Sequence, residues 1–522
     1  MRVLFYNWVD VDDPAGRGGG VRIYQRTVME EIARRPGVEA WFLSAGLAHS
    51  LRPGPPRWEE LRHGRAPARR FRLVDGRPLA PSHHSFGDPA QIDHPETVAA
   101  FADFVETHGP FDAIQFDTLE GLPARVLALA ERWPRTRFVV ALHNHYPVCP
   151  QVNLWHRERA HCADFEGGAA CTSCLPFRPD PDRMRRVHAA HHALEGLGCG
   201  PGTAVYDGAV RPSVRAASRV FRAVASRARA GAAARPEARP EAPPAARRPA
   251  GPPARFAARR AEMVRLINAH ADRVIAVSER TAEIAAQHGI ARERLAVRPI
   301  GTDQAGLWHA TAPPARLPRA DGTLGVAFLG YARPDKGFPF LLDALEGMAP
   351  VVLRRLRLTL AAALRDRASR RRLDALAPRL AAFRHFDGYA RGDLDRVLAG
   401  VDLGLVPGLW EDPLPQVALE MHARRIPLLT SDRGGARELG RCPALVFPAG
   451  DAAAFAARLA GLLEPGLDLA AYWAGARPPV SPAEHVDALL RIHAGQADGD
   501  DATAPGRAAP STGFLAAPGS GC

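Results

Sequence analysis

Lysine is almost missing from this chain. Of 68 basic residues only one, Lys336, is not arginine. A protein that uses arginine everywhere else has kept a compact ammonium at one position, which marks that position for a task a planar guanidinium serves less well. Long apolar runs are missing too: none approaches the ~20 residues that a membrane-spanning helix needs. The opening, Met1 to Asp10, has neither the basic start nor the apolar stretch of a secretory signal. The sequence therefore reads as cytoplasmic. The folded body also lacks any excess of one charge. Residues 183–260 hold 16 Arg and 4 acids, which is the whole net charge of +12, and the remainder balances at 52 against 52. That segment holds only three aromatics among its 16 Arg (Tyr206, Phe221 and Phe256), so the pI near 10 is weak evidence for nucleic acid. Peripheral contact with anionic headgroups at the inner membrane face is the expectation it leaves.

What is present is alternation. Residues 2–6 read as a buried strand, followed by a glycine loop ending in Gly18-Gly19-Gly20 and a helix over 21–34. Strands are expected at 39–43, 113–116 and 138–142, with helices near 100–107 and 124–133. From Cys149 to Arg255 the pattern stops, and Ala/Arg/Pro repetition predicts disorder over about 223–254. A helix (256–269) and a strand (273–276) follow. Beyond 301 a second alternating unit has strands at 325–329, 356–361, 403–406, 427–430 and 445–447. Ser481-Pro482-Ala483-Glu484 is a capping box opening a last helix. The expected organisation is α/β, with two Rossmann-like, doubly wound parallel-sheet domains facing each other across a cleft. Their bounds are 1–300 (with a Cys-bearing loop, 149–175) and 301–480. The helix 481–494 returns to the first domain, and 495–522 is a disordered tail.

The chemistry-bearing residues cluster after strands of the second unit. Gly330 is followed by Arg333 and Lys336 just before a helix, and two cations at the carboxyl end of a strand can clamp a diphosphate. A solvated turn is the plain alternative there. Strand 403–406 leads into Trp410-Glu411-Asp412-Pro413-Leu414-Pro415-Gln416, where the start of a helix at Pro415 and Gln416 offers free N–H groups to a phosphate. Glu420 lies within that helix, placed to accept ribose hydroxyls, and Asp412 lies before it, placed to orient a sugar. Asp432 to Glu438 is a glycine turn with a helix behind it. Cys149, Cys162, Cys171 and Cys174 form a quartet with one Cys-x2-Cys pair, which in a cytoplasmic chain reads as a candidate structural zinc site.

Together these segments resemble glycosyltransferase family 4, retaining nucleotide-sugar enzymes of the GT-B fold. The family pattern runs Gly…Arg…Lys-Gly, then Glu-x7-Glu, then Gly-Gly-x-x-Glu, and all three occur here in order. The likeness spans roughly 1–175 and 256–495. It implies transfer of a hexose from a UDP- or GDP-sugar to a hydroxyl acceptor, as in polysaccharide biosynthesis, with no obligatory metal cofactor. It gives His143 the donor sugar's hydroxyls, Asp412 the sugar, Glu420 the ribose, Arg333 and Lys336 the leaving diphosphate, and Gly19 and Gly20 a close backbone approach to the phosphates. The chain departs from the pattern in three places, one of them Leu414-Pro415 where the family frequently has Phe-Gly after the first acid. The first acid is Asp412 where the family has Glu, with Glu411 adjacent as the other candidate, and Tyr331 stands where Arg often follows the glycine. His145 is the other candidate for the histidine. A catalytically silent scaffold that binds a partner, and a glycosyl phosphorylase, are the alternative functions.

Overall fold

The opening apolar strand is β1 (Arg2–Asn7), and its alternation assigns the two faces of the first domain. Val3 and Phe5 pack with Tyr24, Val28, Met29 and Ile32 of helix α1 (Gly19–Ile32). Leu4 and Tyr6 point the other way, into a layer with Phe101, Phe104 and Phe116. A strand buried on both faces is what a continuous apolar run encodes in a parallel sheet. In this computed structural model the described residues are 1–62, 64–175, 177–213, 251–314, 316–464 and 467–496. Of the two segments expected to be disordered, 223–250 and 497–522 lie outside them. The helix expected from 256 begins earlier, at Pro253, so residues 253 and 254, expected to be disordered, are helical.

The first sheet has eight strands in the order β10-β9-β6-β5-β1-β2-β4-β3. These are β2 (Glu39–Ala48), β3 (Arg57–Glu60), β4 (Arg69–Val74), β5 (Ala113–Phe116), β6 (Arg137–Leu142), β9 (Arg273–Ala276) and β10 (Leu295–Val297). Only β3 runs antiparallel. The second sheet is parallel throughout, ordered β13-β12-β11-β14-β15-β16. Its strands are β11 (Leu324–Leu329), β12 (Leu356–Ala361), β13 (Ala382–Phe386), β14 (Leu403–Val406), β15 (Leu428–Ser431) and β16 (Val446–Phe447). In both sheets the order reverses beside the strand that comes first in the chain, β1 or β11, which opens a crevice at the carboxyl ends of the strands.

Several elements depart from the sequence reading, strands β10 and β13 among them. The β3–β4 edge was not expected, because its arginines and glutamates hide the period. Those charges pair along the strands, for example Arg72 with Glu59. The helix expected near 100–107 is present as α2 (Pro95–His108), whereas the one expected near 124–133 is a 3-10 run (Ala124–Glu131). Within the stretch read as irregular lies a sixteen-residue helix, Pro181–Gly196, N-capped by Asp180 and tied down by Glu195 to Arg72 and by His192 to Glu59. The capping box at Ser481 forms, and the helix it opens (Pro482–His493) buries Val486, Leu489 and Ile492 in the same cluster as α1. Among the described residues no helix is long and apolar enough to cross a membrane.

Candidate active site

β11 ends at Gly330, and the chain turns through Arg333 and Lys336 into the helix Phe338–Glu346. Gly337, the N-cap, has φ +75°, and a Cβ there would lie 1.8 Å from the Pro407 carbonyl oxygen. Only glycine lets the Lys336 turn come this close to the loop after β14. Across that contact, the Lys336 ammonium forms an ion pair with the Asp412 carboxylate and lies 5.0 Å from the centre of the Trp410 ring. The single lysine and the second residue of the Glu-Asp pair therefore meet at the ends of two adjacent parallel strands. Arg333 is turned elsewhere: its guanidinium donates two hydrogen bonds of 2.9 Å to buried Asp335, and its side chain is 55% exposed.

Glu411, the neighbouring candidate, is fully buried and fully engaged. It accepts from Arg280 Nε (3.1 Å) and Nη2 (2.7 Å), from Arg433 Nη1 (3.1 Å), and from the Gly434 N–H (2.8 Å). Burial alone would raise its pKa, but the Arg280 bond and charge, with the Gly434 N–H and Arg433, outweigh it and hold the acid at about 2. Glu411 thus clamps the acidic loop to the helix Glu279–Gln287 of the first domain. Glu438 does the same from the glycine turn, accepting the N–H groups of Glu279 and Arg280 at that helix's N-terminus. Its burial raises its pKa to about 7.

Pro415 caps the helix Gln416–Ala423. The Gln416 side chain donates to the Gly20 carbonyl at 2.9 Å, so the helix start and the glycine loop touch across the cleft. Gly19 is open, with φ +52° and nothing near its missing side chain. One turn on, Glu420 is buried and accepts from the Tyr389 hydroxyl at 3.1 Å. Burial raises its pKa, against the hydrogen bond from Tyr389. Glu420 and Gln416 line a cavity with Tyr24, Thr302 and Arg391, drawn from both domains.

The two histidines after β6 separate. His143 turns inward, its Nε2 3.4 Å from Asp117 and its ring 4.6 Å from that of Tyr24. Asp117 is buried and also accepts from Gln25 and Gln115, both at 2.7 Å. His145 is the one that crosses the cleft, its Nε2 2.8 Å from the Glu411 carbonyl oxygen. The geometry thus gathers Lys336, Asp412, Gln416 and Gly20 at the cleft with Glu420 one turn deeper, and leaves Arg333 on Asp335 and His143 on Asp117. Arg280, Asp117 and Tyr389 were not singled out from sequence, since none sits in a spacing that marks it. The quartet Cys149, Cys162, Cys171 and Cys174 lies together around a separate cavity.

Residues 323–465 match the family model described as glycosyl transferases group 1. No curated protein matches the sequence. Solved structures similar over nearly the whole chain include an alpha,alpha-trehalose-phosphate synthase (UDP-forming) from Burkholderia vietnamiensis. Its TM-score is 0.50 at 16% identity, with 95% of this chain and 100% of that chain covered. The N-terminal domain of the Candida albicans trehalose-6-phosphate phosphatase gives 0.53 at 11% identity, over 94% and 96%. At such identities the likeness is one of fold, and the fold is GT-B. Within the second domain, the similarity to the group 1 glycosyl transferases is confined to residues 323–465.

Proposed function

We propose that this chain is a retaining hexosyltransferase of the family 4 type, moving a sugar from a nucleoside diphosphate donor (UDP- or GDP-linked) to a hydroxyl acceptor. The observation that carries the reading is the Lys336–Asp412 pair at the ends of β11 and β14, beside a helix start and one turn from buried Glu420.

As the anomeric bond breaks, negative charge grows on the leaving diphosphate. Lys336 supplies a fixed cation there, and the N–H groups at the start of the helix after Pro415 supply a second positive pole. Arg333 joins them when the diphosphate competes with Asp335 for its guanidinium. Asp412, released from Lys336 by the same competition, faces the sugar. Glu420 accepts the ribose hydroxyls, and its burial strengthens those bonds by excluding water. No step requires a divalent ion, because the protein's own cations neutralise the leaving group. His143 contributes a hydroxyl contact to the sugar, held in place by Asp117.

The test is incubation with UDP- and GDP-hexoses, following diphosphate release and reading the first-formed sugar by proton NMR. Release with the donor's own anomeric configuration is expected; inversion, or dependence on free phosphate instead of nucleotide, contradicts the reading. Glu420→Gln keeps the helix but removes the charge that strengthens hydrogen bonds to the ribose. Diphosphate affinity measured by calorimetry should fall about tenfold, roughly 1.4 kcal/mol. An unchanged Kd removes Glu420 from the nucleotide site.

A further inference from the structure

The loop 149–175 is too poor in apolar residues to hold its own shape. It contributes to two small clusters, and cysteines are part of both: Cys171 and Cys174 with Phe86, Leu175 and Phe256, and Cys149 with Val148, Leu154 and Ile284. Its regular structure is a hairpin of two-residue strands, β7 (Trp155–His156) and β8 (Ala160–His161), and one helical turn (Ala169–Thr172). Its backbone is also strained. Of the eight described non-glycine residues with positive φ, five (Val152, Leu154, Arg157, Glu158 and Glu166) fall between 152 and 166. Each costs on the order of 1 kcal/mol. Segments of this kind are held by a cross-link when their core is too small to hold them.

All four cysteines are free thiols, and all four line one cavity. They arrive from three separate places: the turn after β6, the end of the β7–β8 hairpin, and the short helix with the residues behind it. Arg260 lines the same cavity, and its buried Nε has no hydrogen-bond partner. The guanidinium stacks on the Phe165 ring at 3.4 Å, and a cation held there beside four sulfurs favours an occupant that leaves the sulfurs negative. Among the described residues, no three His, Cys, Asp or Glu side chains are gathered closely enough to hold an ion as they stand. Two of the thiols have taken other partners: Cys174 donates to the Gln151 side chain (3.1 Å) and Cys162 to the Asp164 carbonyl (3.4 Å).

We propose that Cys149, Cys162, Cys171 and Cys174 bind one structural zinc ion, with Arg260 offsetting its charge. On binding, each thiol gives its proton to solvent, Cys162 and Cys174 leave their present partners, and four thiolates around Zn²⁺ carry a net charge of −2 toward the Arg260 guanidinium. No electron is transferred. The ion closes the loop at the point where the Cys149 N–H bonds the His145 carbonyl (2.8 Å). It therefore braces the turn whose His145 side chain reaches the acidic loop of the second domain.

The experiment is elemental analysis of full-length protein purified under reducing conditions without chelator. About one zinc per chain is expected. Cys149→Ser and Cys174→Ser should each cut the zinc content at least fivefold, while Cys199→Ser, outside the quartet, should leave it unchanged. Should the serine variants fail to fold, cobalt(II) added to chelator-treated wild-type protein decides the matter. The spectrum of tetrahedral thiolate-bound cobalt is expected, and zinc should abolish it. Metal-free wild-type protein that also gives no such spectrum overturns the proposal, as does an iron–sulfide chromophore or a disulfide within the quartet. None of these readouts depends on transferase activity.

Discussion

Lys336→Ala is expected to lower the rate of sugar transfer by about a hundredfold or more, the usual loss when one preorganised partner of a developing charge is removed. The lysine sits on a turn that glycine alone permits, against Asp412 and beside the Trp410 ring. Its charge is therefore already in position when the diphosphate leaves. Lys336→Arg keeps the charge but spreads it over a planar fork in a space bounded by Trp410 and Asp412. It should cost about tenfold, or 1.4 kcal/mol. Both losses should fall on kcat more than on KM, because the charge they answer exists fully only in the transition state. Equal turnover in the wild type and the arginine variant would make the lone lysine an accident of composition.

A larger effect on stability is expected from Glu411→Ala. This acid has no exposed surface and joins Arg280 of the first domain to Arg433 and the Gly434 N–H of the second. Deleting it leaves two arginines facing a buried gap, a loss of about 3–5 kcal/mol. Urea unfolding should show the midpoint fall, with the slope unchanged. The same acid predicts an acid limb. Its pKa is about 4.5 when unfolded and about 2 when folded. Its contribution, about 3 kcal/mol, is therefore fully present above pH 4.5 and is lost as pH falls toward 2. Glu411→Gln should flatten that limb; a limb of the same depth in the variant would place the titrating group elsewhere.

The contrast between Glu411 and Asp412 shows where sequence stops being informative. The spacing to Glu420 placed the first acid on Asp412 and left Glu411 open beside it. Only the fold shows Arg280 reaching Glu411 from 131 positions away in the chain. The lone lysine, the glycine turns and the alternation of strands were legible because each leaves a local mark: a rare residue, a required φ, a period. The Pro181–Gly196 helix left none, since its Glu195 and His192 are held by partners more than a hundred residues away, Arg72 and Glu59, rather than by an apolar stripe. The same holds for His143 and His145. The sequence offers two imidazoles after one strand, and only packing turns the first toward Asp117 and the second toward the acidic loop.

The most direct measurement is the melting midpoint of the wild type, Glu420→Gln and Lys336→Ala against UDP, GDP and their hexose conjugates. A ligand that binds only the native state at a hundred times its Kd adds about 2.7 kcal/mol. At least one diphosphate should raise the wild-type midpoint by about 5 °C or more, and both variants should lose most of that rise. If no diphosphate or conjugate moves the wild type at millimolar concentration, or if the variants respond as the wild type does, then no nucleotide-sugar site lies between Lys336 and Glu420.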